Sequence, residues 1–188
     1  MADLDAGLRA YFGDIPHGYV GRGHGVFDVV GTPKRWLWPA LALLARDGIV
    51  FPVWEHAVPF TVTNRPTVDG TVRATRVFQF AGGDRTMTDE IGVTSAGLTD
   101  RLGTNGRVSA RFDARVVNGR LVLESTGVDL RIGPFLLRWR VLTPRVSLIE
   151  RTDGDHQHVS LRMSLPFVGT LYEYSGSFSY AVEKDSRD

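Results

Sequence analysis

Apolar and polar residues alternate along most of this chain. In "RVSARFDARV" Val108, Ala110, Phe112, Ala114 and Val116 fall on one face, with Arg107, Ser109, Arg111, Asp113 and Arg115 on the other. That is the period-two pattern of a half-buried strand. Asn118-Gly119 follows, a dipeptide that favours a tight two-residue hairpin, and "RLVLES" resumes the alternation with Leu121 and Leu123. The same pattern recurs in "TVRATRVFQF", "HVSLRMSL" and "LYEYSGSFSY", with turn signals "NRPTVDG", "AGGD", "TNG" and "TDGD" between. The runs predict about nine or ten antiparallel strands, mostly β, in a single-domain barrel-like fold. Two short helices are expected, near Leu4 to Phe12 and near Trp38 to Arg46. Residues 1–188 read as one domain: an N-terminal helix and loop over 1–22, the barrel over 23–182, and a tail over 183–188.

"HGYVGRGHGVFDVVG" sets Gly21, Gly23 and Gly25 on alternate positions before an apolar run. A dinucleotide loop needs its glycines after a strand and at the mouth of a helix. Here they precede a strand-like "VFDVVG", and the Lys-Ser/Thr of a phosphate-binding loop is missing. The glycines are read as the entry to a first strand with close backbone approach.

Composition narrows the classes. Hydrophobic content of 43% and charged content of 23% are those of a soluble globular chain. A net charge of +1 gives no nucleic-acid footprint. With no cysteine, disulfides, thiolate nucleophiles and zinc knuckles are excluded. "MADLDAGLRAYFG" is acidic where a signal peptide is basic and then apolar, so a cytoplasmic location is expected. "KRWLWPALALLARDGIVFPVW" is broken by Arg46, Asp47 and Pro52 before it could span a bilayer. Its reading is a plug at one end of the domain, with peripheral membrane contact through Trp36 and Trp38 as the rival.

"GHGVF", "GIVFP", "VPFTV", "RVFQF", "NGRLVL", "TPRVSLIE" and "LPFVGTLYEYSG" run from about Gly23 to Tyr180. Together these segments resemble an uncharacterised bacterial family, domain of unknown function 4166. The most specific are Pro144-Arg145 followed by Glu150, and Pro166, Gly169, Tyr174 and Gly176. Asp100-Arg101-Leu102-Gly103 stands where the family often carries Glu-Arg. The resemblance implies a single compact domain and no particular activity or cofactor.

Strand phase picks out polar residues that share a face with apolar ones. Arg76 falls among Val72, Ala74, Phe78 and Phe80; Glu150 continues the face of Val146 and Leu148; Tyr172, Tyr174 and Tyr180 share the face of Phe178. His56 joins Val58, Phe60 and Val62 if that strand is regular. An interior charge is costly unless paired. Two readings stand: a structural Arg76–Glu150 pair capped by a tyrosine, or a ligand-facing cluster of Arg76, Phe78, Glu150, Tyr172, Tyr174 and His56. Ala74, Ala110, Ala114 and Gly176 leave room for a ligand.

Other constellations carry less. His156 and His158 flank a turn without a third metal ligand. His17 and His24 sit in glycine-rich sequence. Asp84, Asp89 and Glu90 lack the calcium-loop pattern, and no G-x-S-x-G occurs. "RIGPFLLRWRVLTPR" interleaves Arg131, Arg138, Arg140 and Arg145 with Phe135 and Trp139, as single-strand nucleic-acid binders do, but reads better as the rim of the barrel mouth. The expectation is a cofactor-free protein, without metal or nucleic acid, that binds a small hydrophobic molecule. The rival is a cofactor-free cyclase or isomerase using Glu150 or Tyr174 for proton transfer and Arg76 for charge stabilisation.

Overall fold

A computed structural model describes residues 5–95, 97–132, 135–138 and 143–186. A helix α1 (Ala6–Phe12) leads into strand β1 (Tyr19–Gly31). A 3-10 turn (Arg35–Leu37) and helix α2 (Trp38–Ala45) precede β2 (Trp54–Pro66). Then follow β3 (Val72–Phe80), β4 (Gly83–Thr94), β5 (Gly97–Leu102), β6 (Val108–Val117), β7 (Arg120–Ile132) and β8 (Phe135–Arg138). The last three are β9 (Arg145–Asp153), β10 (His156–Leu165) and β11 (Gly169–Lys184).

Among the described residues ten strands close in the order β6-β5-β4-β3-β2-β1-β11-β10-β9-β7, and β7 pairs back to β6. Every pairing is antiparallel. The fold is a closed antiparallel barrel with two short helices, as the alternation predicts. The eleventh strand, β8, lies outside the ring and, among the described residues, pairs only with the far end of β7. This extra strand lies where the sequence reads as a barrel rim. Trp139 and Arg140 of that stretch, and the side chains of Phe135 and Arg138, lie outside the described residues. So does Leu4, the expected start of the first helix.

Closure needs strands that turn tightly and approach closely. Asn118 and Gly119 both take positive φ, 51° and 79°, which the twist of a two-residue β6–β7 hairpin requires. The glycines of the first strand lie within it rather than ahead of it: β1 already begins at Tyr19. Gly25 pairs with Phe178 and Gly176 with Phe27 across the β1–β11 seam. A side chain at Gly25 would come within 2.5 Å of Phe178 Cα, and one at Gly176 within 2.5 Å of Phe27 Cα. The glycines let two backbones pass where larger residues would push the seam open.

The helices close opposite ends. At the end where β1 starts, Asp5 anchors α1: its amide donates to the Gly119 carbonyl, and its carboxylate accepts from Thr152. Leu8 then packs with Leu121 and Leu123. At the other end α2 buries Leu41, and the segment after it inserts Ile49, Val50 and Phe51. The reading of "KRWLWPALALLARDGIVFPVW" as a plug matches this placement. No helix among the described residues is long and apolar enough to cross a membrane.

Candidate functional site

The barrel is filled on one side and hollow on the other. β11, β1, β2 and β3 send Phe27, Phe60, Phe78, Phe80 and Phe178 inward as one aromatic cluster with Phe51, largely edge to face. Opposite them, β4 to β7 and β9 offer smaller or shorter groups: Ile91, Leu98, Val108, Ala110, Val128, Leu130 and Leu148. Between the two sides lies a cavity of about 470 Å³, within the size range of small-molecule sites. Asp14, Gly70 and Val93 line it and are exposed, all at the α1 end, so its mouth lies there.

Strand alternation puts a small polar cluster on this wall. On β3 the inward residues run Phe80, Phe78, Arg76, Ala74 and Val72; on β4 they run Met87, Asp89 and Ile91. Arg76 forms an ion pair with Asp89, whose side chain is only 4% exposed. β5 adds Asp100, β9 adds Glu150, β11 adds Tyr174, β2 adds Asn64, and α1 lowers Tyr11 over the opening. Glu150 accepts a hydrogen bond at Oε2 from Gln157 Nε2 on the neighbouring β10.

The charges feel one another. Burial pushes Glu150 up to about 7, against the Gln157 hydrogen bond and the field of Arg76, which both pull it down. Burial also lifts Asp100 to about 6, again opposed by Arg76. For Arg76 burial works against the charge. Tyr11, Tyr174, Asp100 and Glu150 outweigh it and hold the guanidinium above its usual range. Tyr11 is raised to about 12, first by burial and then by Glu150. Burial raises Tyr172 and Tyr174 too.

Of the residues singled out from sequence, Arg76, Glu150, Tyr172 and Tyr174 line the cavity. Phe78 is fully buried in the aromatic side, stacked on Phe80, and is packing rather than lining. His56 is on the outer face. The strand there is not regular. Asp28 bulges out of the β1–β11 pairing, Ala57 takes a φ of 53°, and His56 Nδ1 lies 3.0 Å from the Asp28 carbonyl. The expected Arg76–Glu150 pair is replaced by Arg76–Asp89, because Asp89 stands on the adjacent strand. Ala110 is buried, whereas Ala114 is exposed.

Sequence reasoning places none of Asp100, Asn64 and Tyr11 at a site; Asp100 enters it only as part of a family motif. Asp100 carries the same signal as Arg76, lying between Leu98 and Leu102 at alternate positions. Asp89 lies likewise between Met87 and Ile91. His24 is on the outer face of β1 near Ser179, and His156 and His158 open β10. No group of three or more His, Asp or Glu side chains arranged for a metal occurs among the described residues. Trp36 is 66% exposed, while Trp38 turns inward and donates to the Thr32 carbonyl.

The model of the family described as domain of unknown function matches residues 4–178. That span includes every lining residue named above, and the chain belongs to this family, numbered 4166. No curated protein and no solved structure matches it.

Proposed function

We propose that this member of the domain of unknown function 4166 family is a binding protein that encloses one small, largely apolar molecule within its barrel. The observation that carries the reading is the cavity of about 470 Å³ with apolar walls and one ionisable cluster. Binding sites have this composition: apolar area supplies affinity, and a few placed polar groups fix orientation. A barrel built only for stability gains by filling such a space, since each unfilled volume forgoes packing. Here the small residues Ala74 and Ala110 stand directly across from Asp89 and Asp100 on the neighbouring strands, leaving space at the polar cluster.

A second reading, a cofactor-free isomerase or cyclase for an apolar substrate, draws on Glu150. A carboxyl group lifted to about 7 is matched to proton transfer near neutral pH. The Arg76–Asp89 pair favours binding over this, because a guanidinium committed to a carboxylate is poorly placed to stabilise developing negative charge.

Native mass spectrometry of freshly purified protein, followed by denaturing extraction, tests the proposal. A bound apolar molecule at one copy per chain is the expected result. A clean apo mass, with no stabilisation from a panel of lipids and apolar metabolites, would overturn it. If a molecule is found, its turnover on prolonged incubation decides between binding protein and enzyme.

A further inference from the structure

The polar cluster is lopsided. Among the described residues the cluster sets three carboxyl groups, Asp89, Asp100 and Glu150, against one guanidinium, that of Arg76, which is paired with Asp89. Among the described residues two acceptor atoms of the cluster have no partner. Asp100 Oδ1 is shut off from solvent without a hydrogen bond. Asn64, only 4% exposed, gives its amide nitrogen to Tyr180 Oη at 3.3 Å, and its Oδ1 meets nothing. Buried acceptors left unsatisfied cost free energy. The donors near this surplus among the described residues include Gln157 Nε2, already given to Glu150, and the phenolic hydroxyls of Tyr11 and Tyr174.

We infer that the molecule held in this barrel is an amphiphile whose polar head is a protonated amine, seated against Asp100, Glu150 and Asn64. This rests on the reading of the interior as a ligand cavity and adds the class of ligand. An ammonium carries up to three donors and no acceptor, which complements a site rich in acceptors. Its charge also balances the excess carboxylate that Arg76 alone cannot. A carboxylate or phosphate head would enter beside three carboxyl groups and find the arginine taken. An alcohol donates once and brings a further acceptor. The imbalance is felt by the carboxyl groups themselves: burial, insufficiently opposed by Arg76, holds Asp100 and Glu150 well above the usual carboxylate range. The tail of the amphiphile lies along Leu98, Val108, Leu130 and Leu161. Exposed Asp14 at the mouth adds an attraction of the same sign.

Calorimetric titration with dodecylamine, dodecanol and dodecanoate, each below its aggregation threshold, tests the head group on a constant tail. The amine is expected to bind about tenfold or more tighter than the alcohol, the size of a charge-assisted hydrogen bond, with dodecanoate weakest. Asp100→Asn is expected to remove most of that margin, with an unchanged far-UV circular dichroism spectrum and a cooperative thermal melt showing that the variant is folded. Equal binding of all three, or tightest binding of dodecanoate or dodecanol, overturns the head-group assignment and leaves the cavity reading intact. No binding of any overturns both. Tight amine binding unaffected by both Asp100→Asn and Glu150→Gln marks attachment elsewhere on the protein and also overturns the assignment.

Discussion

The two sides of this barrel are made by the same rule and come out differently. Along β11, β1, β2 and β3 the inward positions hold mostly phenylalanine, tyrosine and valine, with Ala74, Arg76 and Asn64 among them, and most are buried below a tenth of their surface. Along β4 to β7 the inward positions hold mostly leucine, valine, alanine and aspartate, with Met87, Ile91 and Phe112, and several stay partly accessible because they face the cavity. Large aromatic rings interlock across the first side. On the second, Ala110 and Asp100 face each other across neighbouring strands and cannot reach the opposite wall. Period-two alternation therefore decides which residues point inward, while their size decides whether the interior is solid. The close aromatic packing lies in one half of the barrel, and the open volume of about 470 Å³ lies between it and the other.

The sharpest way to break the solid half is at its seam. Gly176→Val would drive a side chain into the Phe27 backbone across the β1–β11 pairing. A loss of about 4 kcal/mol or more is expected, at the severe end for a single substitution, read by urea denaturation. Phe78→Ala is next. Removing a fully buried ring from the aromatic cluster costs about 3–5 kcal/mol. Leu98→Ala on the hollow side, where cavity already adjoins the leucine, should cost markedly less in the same assay.

The polar cluster adds a pH dependence with a definite sign. Glu150 rises from an ordinary 4.5 to about 7 in the folded protein. Between those values the folded chain retains a proton that the unfolded chain has released, so stability falls as pH rises from 4.5 to 7. Asp100, lifted from 3.8 to about 6, adds a fall in the same direction over its own lower window. Glu150→Gln is expected to flatten the melting temperature across its window relative to the parent protein. An unchanged slope would show that Glu150 is hydrated in the folded state.

Smaller effects mark the boundary between the halves. Ala110→Leu adds volume where the cavity has room, so a stability change within about 1 kcal/mol is expected, together with weaker binding of whatever the cavity takes. Thermal shift and dodecanol titration measure the two. His56→Ala, on the outer face, is expected to change stability by no more than about 0.5 kcal/mol and binding not at all. If His56→Ala weakens dodecanol binding, the outer-face placement is wrong.

Much of this architecture is legible in the amino-acid sequence. The Asn118-Gly119 hairpin, the alternating strands, the two helices and the inward phase of Arg76, Glu150 and Tyr174 follow from spacing and turn chemistry alone. Phase misleads where a strand is irregular. His56 shares a parity with Val58, but the bulge at Asp28 and the positive φ at Ala57 turn it outward. Partnership is also hidden: alternation shows that Arg76 and Glu150 point inward but not which strand lies beside which. Asp89 on the adjacent β4 therefore takes the arginine. Tyr11 reaches the site from a helix, and no strand pattern could place it there. Side-chain size marks Ala74 and Ala110 as room-giving, but only the closed ring shows them bordering one space.

The most direct test of the hollow half is a crystal structure of the protein pressurised with xenon, which enters apolar cavities of this kind. Xenon density beside Leu98, Val108 and Leu130, inside an intact ring of ten strands, is the predicted result. An interior in which those side chains meet the aromatic cluster, with no xenon between, would contradict the account and leave the barrel a solid core.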